Sequence, residues 1–351
     1  MSSLTLVIPE LLTPLALGQV TATHLPNLSH VQRLFSRAQR AQDVLTDVEA
    51  LLCRLFHVAL PANTPLPVAA LSYLSDCKSI EPGWYLRVDP VHLQVGRDKL
   101  ILLDQYVLQA TADEATQLIA ELNQSWQDRG VVIHQGAPGR WYIHLSDAPQ
   151  CQTSALADVV GRNIQAYLME GIERQRWQAY TNEVQMLLHA SPVNAAREAQ
   201  GRPAINSVWL WGEGSLEQLG RTDFVTTPMQ VYSDDPVVTG LGSWSGADVF
   251  ALPDDAETWL SQCDVNAEQV IVMNHPAQAL RHGDEGQWLE FLVRFNTFWA
   301  PVLTQLLAEK KLTQLMIHLP AQENKGFSYR LTPRLQARWW KRNRSLVSIS
   351  K

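Results

Sequence analysis

Cysteine is scarce in this chain: four in 351 residues, at Cys53, Cys77, Cys151 and Cys263. No two stand at a CxxC spacing, so neither a disulfide framework nor a cysteine-held zinc is indicated. Reduced thiols in a cytoplasmic protein are the expectation. Long hydrophobic runs are also missing. No stretch of ~18 apolar residues is present, so no helical membrane span is expected. The opening MSSLTLVIPELLTPLALG lacks a basic lead and is broken by Pro9, Glu10 and Pro14. It reads as a first core strand, not as an export signal. Positive charge is not in excess: the formal net charge is −7. Nucleic acid is therefore not expected as a main partner, because phosphate neutralisation needs a basic face. There is no internal repeat.

What is present is ordinary globular material, 46% hydrophobic and 18% charged. The length suggests two domains, or one domain carrying an insertion. Tryptophan is over-used, with 12 against eight each of Phe and Tyr. Most of these indoles are expected in packing, and some can line a cleft.

LTLVI (4–8) reads as a buried strand, and residues 28–56 as two helices. From Trp84 the pattern changes. WYLRVDPVHLQV (84–95) and DKLILLDQYVL (98–108) read as strands. Residues 111–130 predict a helix with Thr111 as cap and Glu114 three residues on. VVIHQGAPGRWYIHL (131–145) predicts a hairpin. This ββαββ block suggests an inserted lid over 83–150, between core parts 1–82 and 151–351. After it, INSVWLW (205–211), MQVYS, DVFALP, QVIVMNH and TQLMIHLPA alternate with helical segments, and GFSYRL reads as a final strand. Apolar strands alternating with amphipathic helices imply an α/β fold, a mostly parallel sheet with helices on both faces.

The stretch NEVQMLLHASPVNAAREAQGRPAINSVWLWGEG (182–214) carries a resemblance. It is similar to the part of archaeal-type, cofactor-independent phosphoglycerate mutases where a helix ends at a His-Pro-Val-Asn turn. There an Arg-rich helix then leads into a strand ending Gly-x-Gly. HLPNLSHVQRLF (24–35) resembles the Thr-Pro-Asn-Leu-Asp helix start of the alkaline phosphatase superfamily, and GWYLRVDPVHLQVGRDKLILLD (83–104) resembles the mutase lid strand and its hairpin. The resemblance implies an alkaline-phosphatase-like core with an inserted lid. It also implies, for active members, two divalent metals held by Asp and His at strand ends, and a Ser or Thr nucleophile. Metals suit that chemistry because they lower the nucleophile's pKa and neutralise phosphoryl charge.

At those positions this chain departs from the pattern. Pro9 and Glu10 stand where the family has its first Asp-Gly, and Leu66 and Pro67 where it has the nucleophile and an acid. Ala277 and Arg281 replace an Asp-x-x-x-His pair, and Leu319–Pro320–Ala321 replace an Asp-His. The combined departure points to a catalytically degenerate relative with no cofactor. It resembles the bacterial regulatory proteins of the RpfE type. An active mutase or phosphohydrolase with relocated ligands is the alternative.

Eight residues remain as candidates for binding a small phosphorylated or carboxylated metabolite in a cleft between lid and core: Arg87, His92, Asn182, His189, Asn194, Arg197, Arg202 and Asn206. Guanidiniums grip phosphate or carboxylate well. A structural reading stands beside this one. Arg87 and Asp89 can form an ionic pair on an exposed face. Asn194 can cap a helix starting at Ala195 and Asn206 can satisfy a turn, with Arg197 and Arg202 solvated. His275, His282 and Asp284 do not form a recognised metal pattern. The tail YRLTPRLQARWWKRNRSLVSISK carries seven basic residues and no acid. It can dock an acidic partner such as a protein, an anionic surface or nucleic acid, or pack as a terminal helix through its tryptophans.

Overall fold

The computed structural model describes residues 3–41, 47–126, 130–222, 228–321, 326–338 and 340–350. The chain divides into two compact units, Met1–Ala59 with Arg221–Lys351, and Leu60–Gly220. The boundaries fall outside the expected 83 and 150. The reason is a pairing that sequence order hides: Ser207–Gly214 lies antiparallel against Trp84–Val95, with Trp209 opposite Asp89 and Trp211 opposite Arg87. The strand expected in the core thereby belongs to the second unit.

The first unit is built on a seven-stranded sheet, ordered Asp248–Phe250, Met229–Tyr232, Glu268–Val272, Ser3–Val7, Gln314–Leu319, Phe327–Leu331, Gln39–Arg40. The first five are parallel, and Phe327–Leu331 runs antiparallel to both its neighbours. This is the mostly parallel α/β sheet read from the alternation of elements. Leu4, Leu6, Ile271 and Ile317 are fully buried between covering helices that contribute Trp288, Leu292, Leu303 and Leu307. Fully burying such side chains stabilises by roughly 1.5–3 kcal/mol each. One of the covering helices runs as Glu285–Arg294, a π-helical turn Phe295–Trp299 and Ala300–Ala308. The π turn puts Asn296 where its Oδ1 accepts from the backbone N–H groups of His30 and Val31, both at 3.1 Å. Helix Ser29–Arg37 has no side-chain cap of its own, so Asn296 supplies its cap from across the core.

The basic tail is built into this unit. Leu346 and Ile349 are buried, the Tyr329 hydroxyl donates to the Ile349 carbonyl at 3.1 Å, and the Arg344 N–H donates to Ser36 Oγ at 2.7 Å. Aliphatic side chains hold it, whereas Trp340 is 65% exposed. Trp339 and Lys351 lie outside the described residues.

The second unit is a sheet ordered Ser207–Gly214, Trp84–Val95, Arg140–Leu145, Ile133–Ala137, with Leu100–Leu103 paired to the end of Trp84–Val95. The expected hairpin and helix Ala112–Ser125 are both present, the helix with a full Thr111–Glu114 capping box. Strand 98–108 is shorter than expected. It ends at Leu103 because the Asp104 carboxylate accepts from the Tyr106 N–H and starts the helical turn Gln105–Leu108. Helices Val68–Cys77, Arg174–Ala190 and Pro192–Ala199 complete the unit. Among the described residues no helix is long and apolar enough to cross a membrane.

Leu346→Ala should lower unfolding stability by about 2–5 kcal/mol, because the side chain is fully buried. Denaturant unfolding checks this; an unchanged midpoint would show that the tail does not share the first unit's core.

Candidate functional site

The turn from helix Pro192–Ala199 into strand Ser207–Gly214 holds most of the polar residues singled out from the sequence. Ser191 ends one helix and caps the next, accepting from the Val193 N–H at 3.2 Å. Pro192 suits the first helical turn, where its missing N–H costs nothing. Asn194 therefore lies inside the helix and is not its cap. Its amide donates to the carbonyls of Leu188 and Ile205 at 2.8 and 2.7 Å, and its Oδ1 accepts from the Ile205 N–H at 2.7 Å.

Arg197 is 1% exposed, not solvated. Its guanidinium donates to the Pro203 carbonyl at 2.8 Å, to Glu114 at 2.7 Å and to the Leu108 carbonyl at 2.6 Å. Arg202 donates to the other Glu114 oxygen at 2.7 Å and to the Gln109 carbonyl at 2.8 Å. Glu114 also accepts from the Thr111 N–H at 2.8 Å. Burial alone would raise the Glu114 carboxyl. The Thr111 N–H and the two guanidiniums outweigh it and hold the group below its usual value. Asn206 pairs with both backbone groups of Leu93, and His92 Nδ1 donates to the Ala204 carbonyl at 2.8 Å. These groups form one clasp around residues 200–206, with their hydrogen bonds directed at the protein itself. Asn182 and His189 stand exposed on helix Arg174–Ala190, apart from these bonds.

Arg87 belongs to a second cluster. Arg87 and Asp89 are 5% and 1% exposed and share one strand, so the expected exposed, cross-strand pair is replaced by a buried pair two residues apart. The reason is that Trp84–Val95 is a central strand covered on both faces. Arg87 Nε and Nη2 reach the two Asp89 oxygens at 2.9 and 2.7 Å, and Nη1 reaches Ser72 Oγ at 3.3 Å. Trp211 Nε1 donates to Asp89 at 2.8 Å. Asp76 accepts from Arg140 and from the Tyr142 hydroxyl, the latter at 2.7 Å. Burial raises the Asp89 carboxyl more than Arg87 and Trp211 lower it. With its fork closed on Asp89 and Ser72, Arg87 presents no free face to an anion. Glu114, Asp76 and Trp211 are the partners that sequence reasoning missed. Glu114 carried a visible signal as a capping-box residue; its second use depends on chain 80-odd residues away.

The carboxyl ends of the parallel strands form the other place where chemistry is expected, since open α/β sheets bind ligands there. Ser3–Val7 lies between Glu268–Val272 and Gln314–Leu319 in parallel register, so their ends share one edge. Glu10 stands in the place of the family's glycine and has φ +62°, the left-handed region that favours glycine. Its N–H donates to the Pro320 carbonyl at 2.9 Å. The preceding residue, Pro9, is buried and has no donor atom. Ala277, in helix His275–Arg281, and Leu319–Pro320–Ala321 likewise offer no side-chain ligand. Asp235, beyond Met229–Tyr232, caps a helix through the Val237 N–H and accepts from Asn274. Among the described residues no three His, Cys, Asp or Glu side chains lie close enough to hold a metal ion. The residues at these positions do not fit a pair of divalent metals, which require carboxylate or imidazole donors. Asp284 caps helix Glu285–Arg294 through the Gln287 N–H.

In the second unit, Leu66 and Pro67 precede helix Val68–Cys77, and Leu66 is buried. The Gly-Glu-Gly end of strand Ser207–Gly214 runs against this turn. A Cβ on Gly214 would stand 2.5 Å from Pro67 Cβ, so the glycine permits a close approach of two chains.

No family model matches the chain. Over 170 residues it is 26% identical to a 2,3-bisphosphoglycerate-independent phosphoglycerate mutase of Methanosarcina barkeri, a match covering 47% of this chain and 42% of that protein. It is 27% identical over 172 residues to a probable 2,3-bisphosphoglycerate-independent phosphoglycerate mutase of Geobacter sulfurreducens, again covering 47% and 42%. The matches thus span less than half the length of these relatives. Among solved structures, the PH0037 protein from Pyrococcus horikoshii is similar with a TM-score of 0.57 at 12% identity, over 94% of this chain and 87% of that one. Over part of its length the chain is thus similar to 2,3-bisphosphoglycerate-independent phosphoglycerate mutases, and its α/β fold, with the mostly parallel sheet expected from the sequence, is like that of the Pyrococcus protein.

Glu114→Gln should cost about 3 kcal/mol near neutral pH, because it removes the carboxylate from a buried guanidinium. The folded-state pKa is depressed, so the contribution is present above the unfolded value of about 4.3 and lost as pH falls through the lower folded value. The wild-type and mutant urea midpoints should therefore converge in acid. A difference that persists unchanged well below pH 4 would contradict the clasp.

Proposed function

We propose that this chain is a catalytically degenerate phosphoglycerate mutase-like protein that acts by binding, in a cytoplasmic regulatory or sensing role of the bacterial RpfE type. The observation that carries the reading is the set of residues at the sheet's carboxyl edge. Pro9, Ala277 and Leu319–Pro320–Ala321 supply no metal ligand where the related enzymes' pattern requires one. Leu66 supplies no nucleophile: a buried aliphatic side chain cannot accept a phosphoryl group.

Binding needs only complementary polar groups, so it survives the loss of metals. Support for a small anionic ligand comes from the charge at the clasp. Two guanidiniums share one carboxylate, and Arg202 is 31% exposed. Arg202 is the clasp cation best placed to meet a phosphorylated or carboxylated metabolite. Arg87, Asn194 and Asn206 hold the protein scaffold in this reading.

The purified protein, given 3-phosphoglycerate or a generic phosphate ester with Mn²⁺ or Mg²⁺, should show no turnover above blank. Chelator-sensitive turnover would establish the alternative, an active enzyme with relocated ligands. In parallel, 3-phosphoglycerate at millimolar concentration should raise the melting temperature of the wild type and not that of Arg202→Gln. Equal shifts in both, or no shift in either, would remove the anion-binding part of the reading.

A further inference from the structure

A pocket of about 310 Å³ opens in the second unit between helix Arg174–Ala190 and strand Ser207–Gly214. Its size is at the small end of ligand sites, which run roughly 300–1,000 Å³. The helix contributes Gln178, Thr181, Asn182 and Gln185. These are spaced i, i+3, i+4, i+7, so all four project from one face. The core-facing residues Trp177, Val184 and Leu188 occupy the neighbouring stripe and are buried. The helix thus carries a row of uncharged hydrogen-bonding side chains beside its packing face.

The facing walls are of a different kind. Leu93, Leu100, Ile164, Leu168 and Met169 come from the sheet and from the segment that leads to the helix. Trp209 lines the same pocket, and its indole is fixed by donating to the Ser154 carbonyl at 2.9 Å. At the polar side, Gln185 Nε2 donates to Ser207 Oγ at 3.0 Å. That bond orients the amide, leaving its carbonyl oxygen as an acceptor. Thr181 donates to the Trp177 carbonyl at 3.0 Å and keeps its oxygen lone pairs.

Among the described residues, no charged side chain lines the pocket. An anion or cation entering it would lose hydration without gaining a counter-charge, which is costly. A purely apolar molecule would strip water from a row of amides and a hydroxyl, which also costs free energy. The arrangement suits a molecule with two unlike sides. We propose that this pocket binds a flat, uncharged ring compound bearing an amide-type donor and acceptor on one edge. The amides of Gln178, Asn182 and Gln185 read that edge, and the aliphatic wall with Trp209 covers the ring. Amide side chains are suited to such paired edges because each offers both a donor and an acceptor. A carboxamide ring and a nucleobase share this chemistry. The site adjoins the clasp through Leu93 but does not use its arginines, and it does not depend on the regulatory reading above.

Calorimetric titration with benzamide, adenine and benzoate tests the proposal. The wild type should saturate with benzamide or adenine at one per chain, and which of the two binds identifies the ligand as a carboxamide or nucleobase type. Benzoate should bind at least about tenfold more weakly, the effect of about 1.4 kcal/mol. Gln185→Leu should weaken the neutral probe about tenfold, on the scale of one lost hydrogen bond. Thr181→Phe, which fills the space from the helix side, should abolish binding with the far-ultraviolet dichroism and melting temperature of the wild type retained. If neither neutral probe saturates at about 10 mM, a binding energy below roughly 3 kcal/mol, the proposal fails. It fails equally if benzoate binds as tightly, or if folded Thr181→Phe binds unchanged.

Discussion

A buried guanidinium cannot be left without partners, and Arg197 shows what that demand imposes. It is 1% exposed and is met by a carboxylate and two carbonyls from three separate stretches of chain. Leaving such a charge unpaired in the interior would cost several kcal/mol, so the stretches are held to its geometry. Leu108, Glu114 and Pro203 are thereby brought together, and the turn that feeds strand Ser207–Gly214 is set. That strand then pairs with Trp84–Val95 and delivers Trp211 to Asp89. The second unit's two polar clusters are therefore linked through one strand. Each contains an arginine that a sequence reader would assign to a ligand, Arg197 in one and Arg87 in the other.

The first unit presents the complementary case, where backbone geometry and side-chain chemistry have parted. The turn after Ser3–Val7 still has a left-handed residue, and a glutamate occupies it at φ +62°. A non-glycine residue there is strained by roughly 1–3 kcal/mol, and persists only where its surroundings hold it. Here the Pro320 carbonyl binds the Glu10 N–H. The residue before it is a proline with no ligand atom. A left-handed turn thus stands beside a position that offers no metal donor, and this supports the proposed binding role without phosphoryl chemistry.

Much of the fold was legible because it rests on local rules. The parallel strands appeared as apolar runs, helix Ala112–Ser125 as a Thr111–Glu114 capping box, and the hairpin Ile133–Leu145 as alternation around a glycine turn. Three features were not legible, for one reason: each depends on a partner distant in sequence. Asn296 caps a helix some 265 residues away. Ser207–Gly214 reads as a core strand until its pairing with Trp84–Val95 is known. Arg87, Asn194, Arg197 and Asn206 look like ligand-binding groups until their backbone and carboxylate partners are placed. The pocket on helix Arg174–Ala190 was not visible: Asn182 was assigned to an anion cleft, and Gln178, Thr181 and Gln185 are unremarkable on a helix until a wall faces them.

The central claim is that the strand ends of the first unit have lost the capacity to hold the metals that phosphoryl transfer requires. Titration of the purified protein with Mn²⁺, followed by calorimetry and by metal content after gel filtration, measures this directly. The account predicts no stoichiometric uptake at micromolar metal and no loss of melting temperature with chelator. Retention of two Mn²⁺ per chain through gel filtration would contradict it.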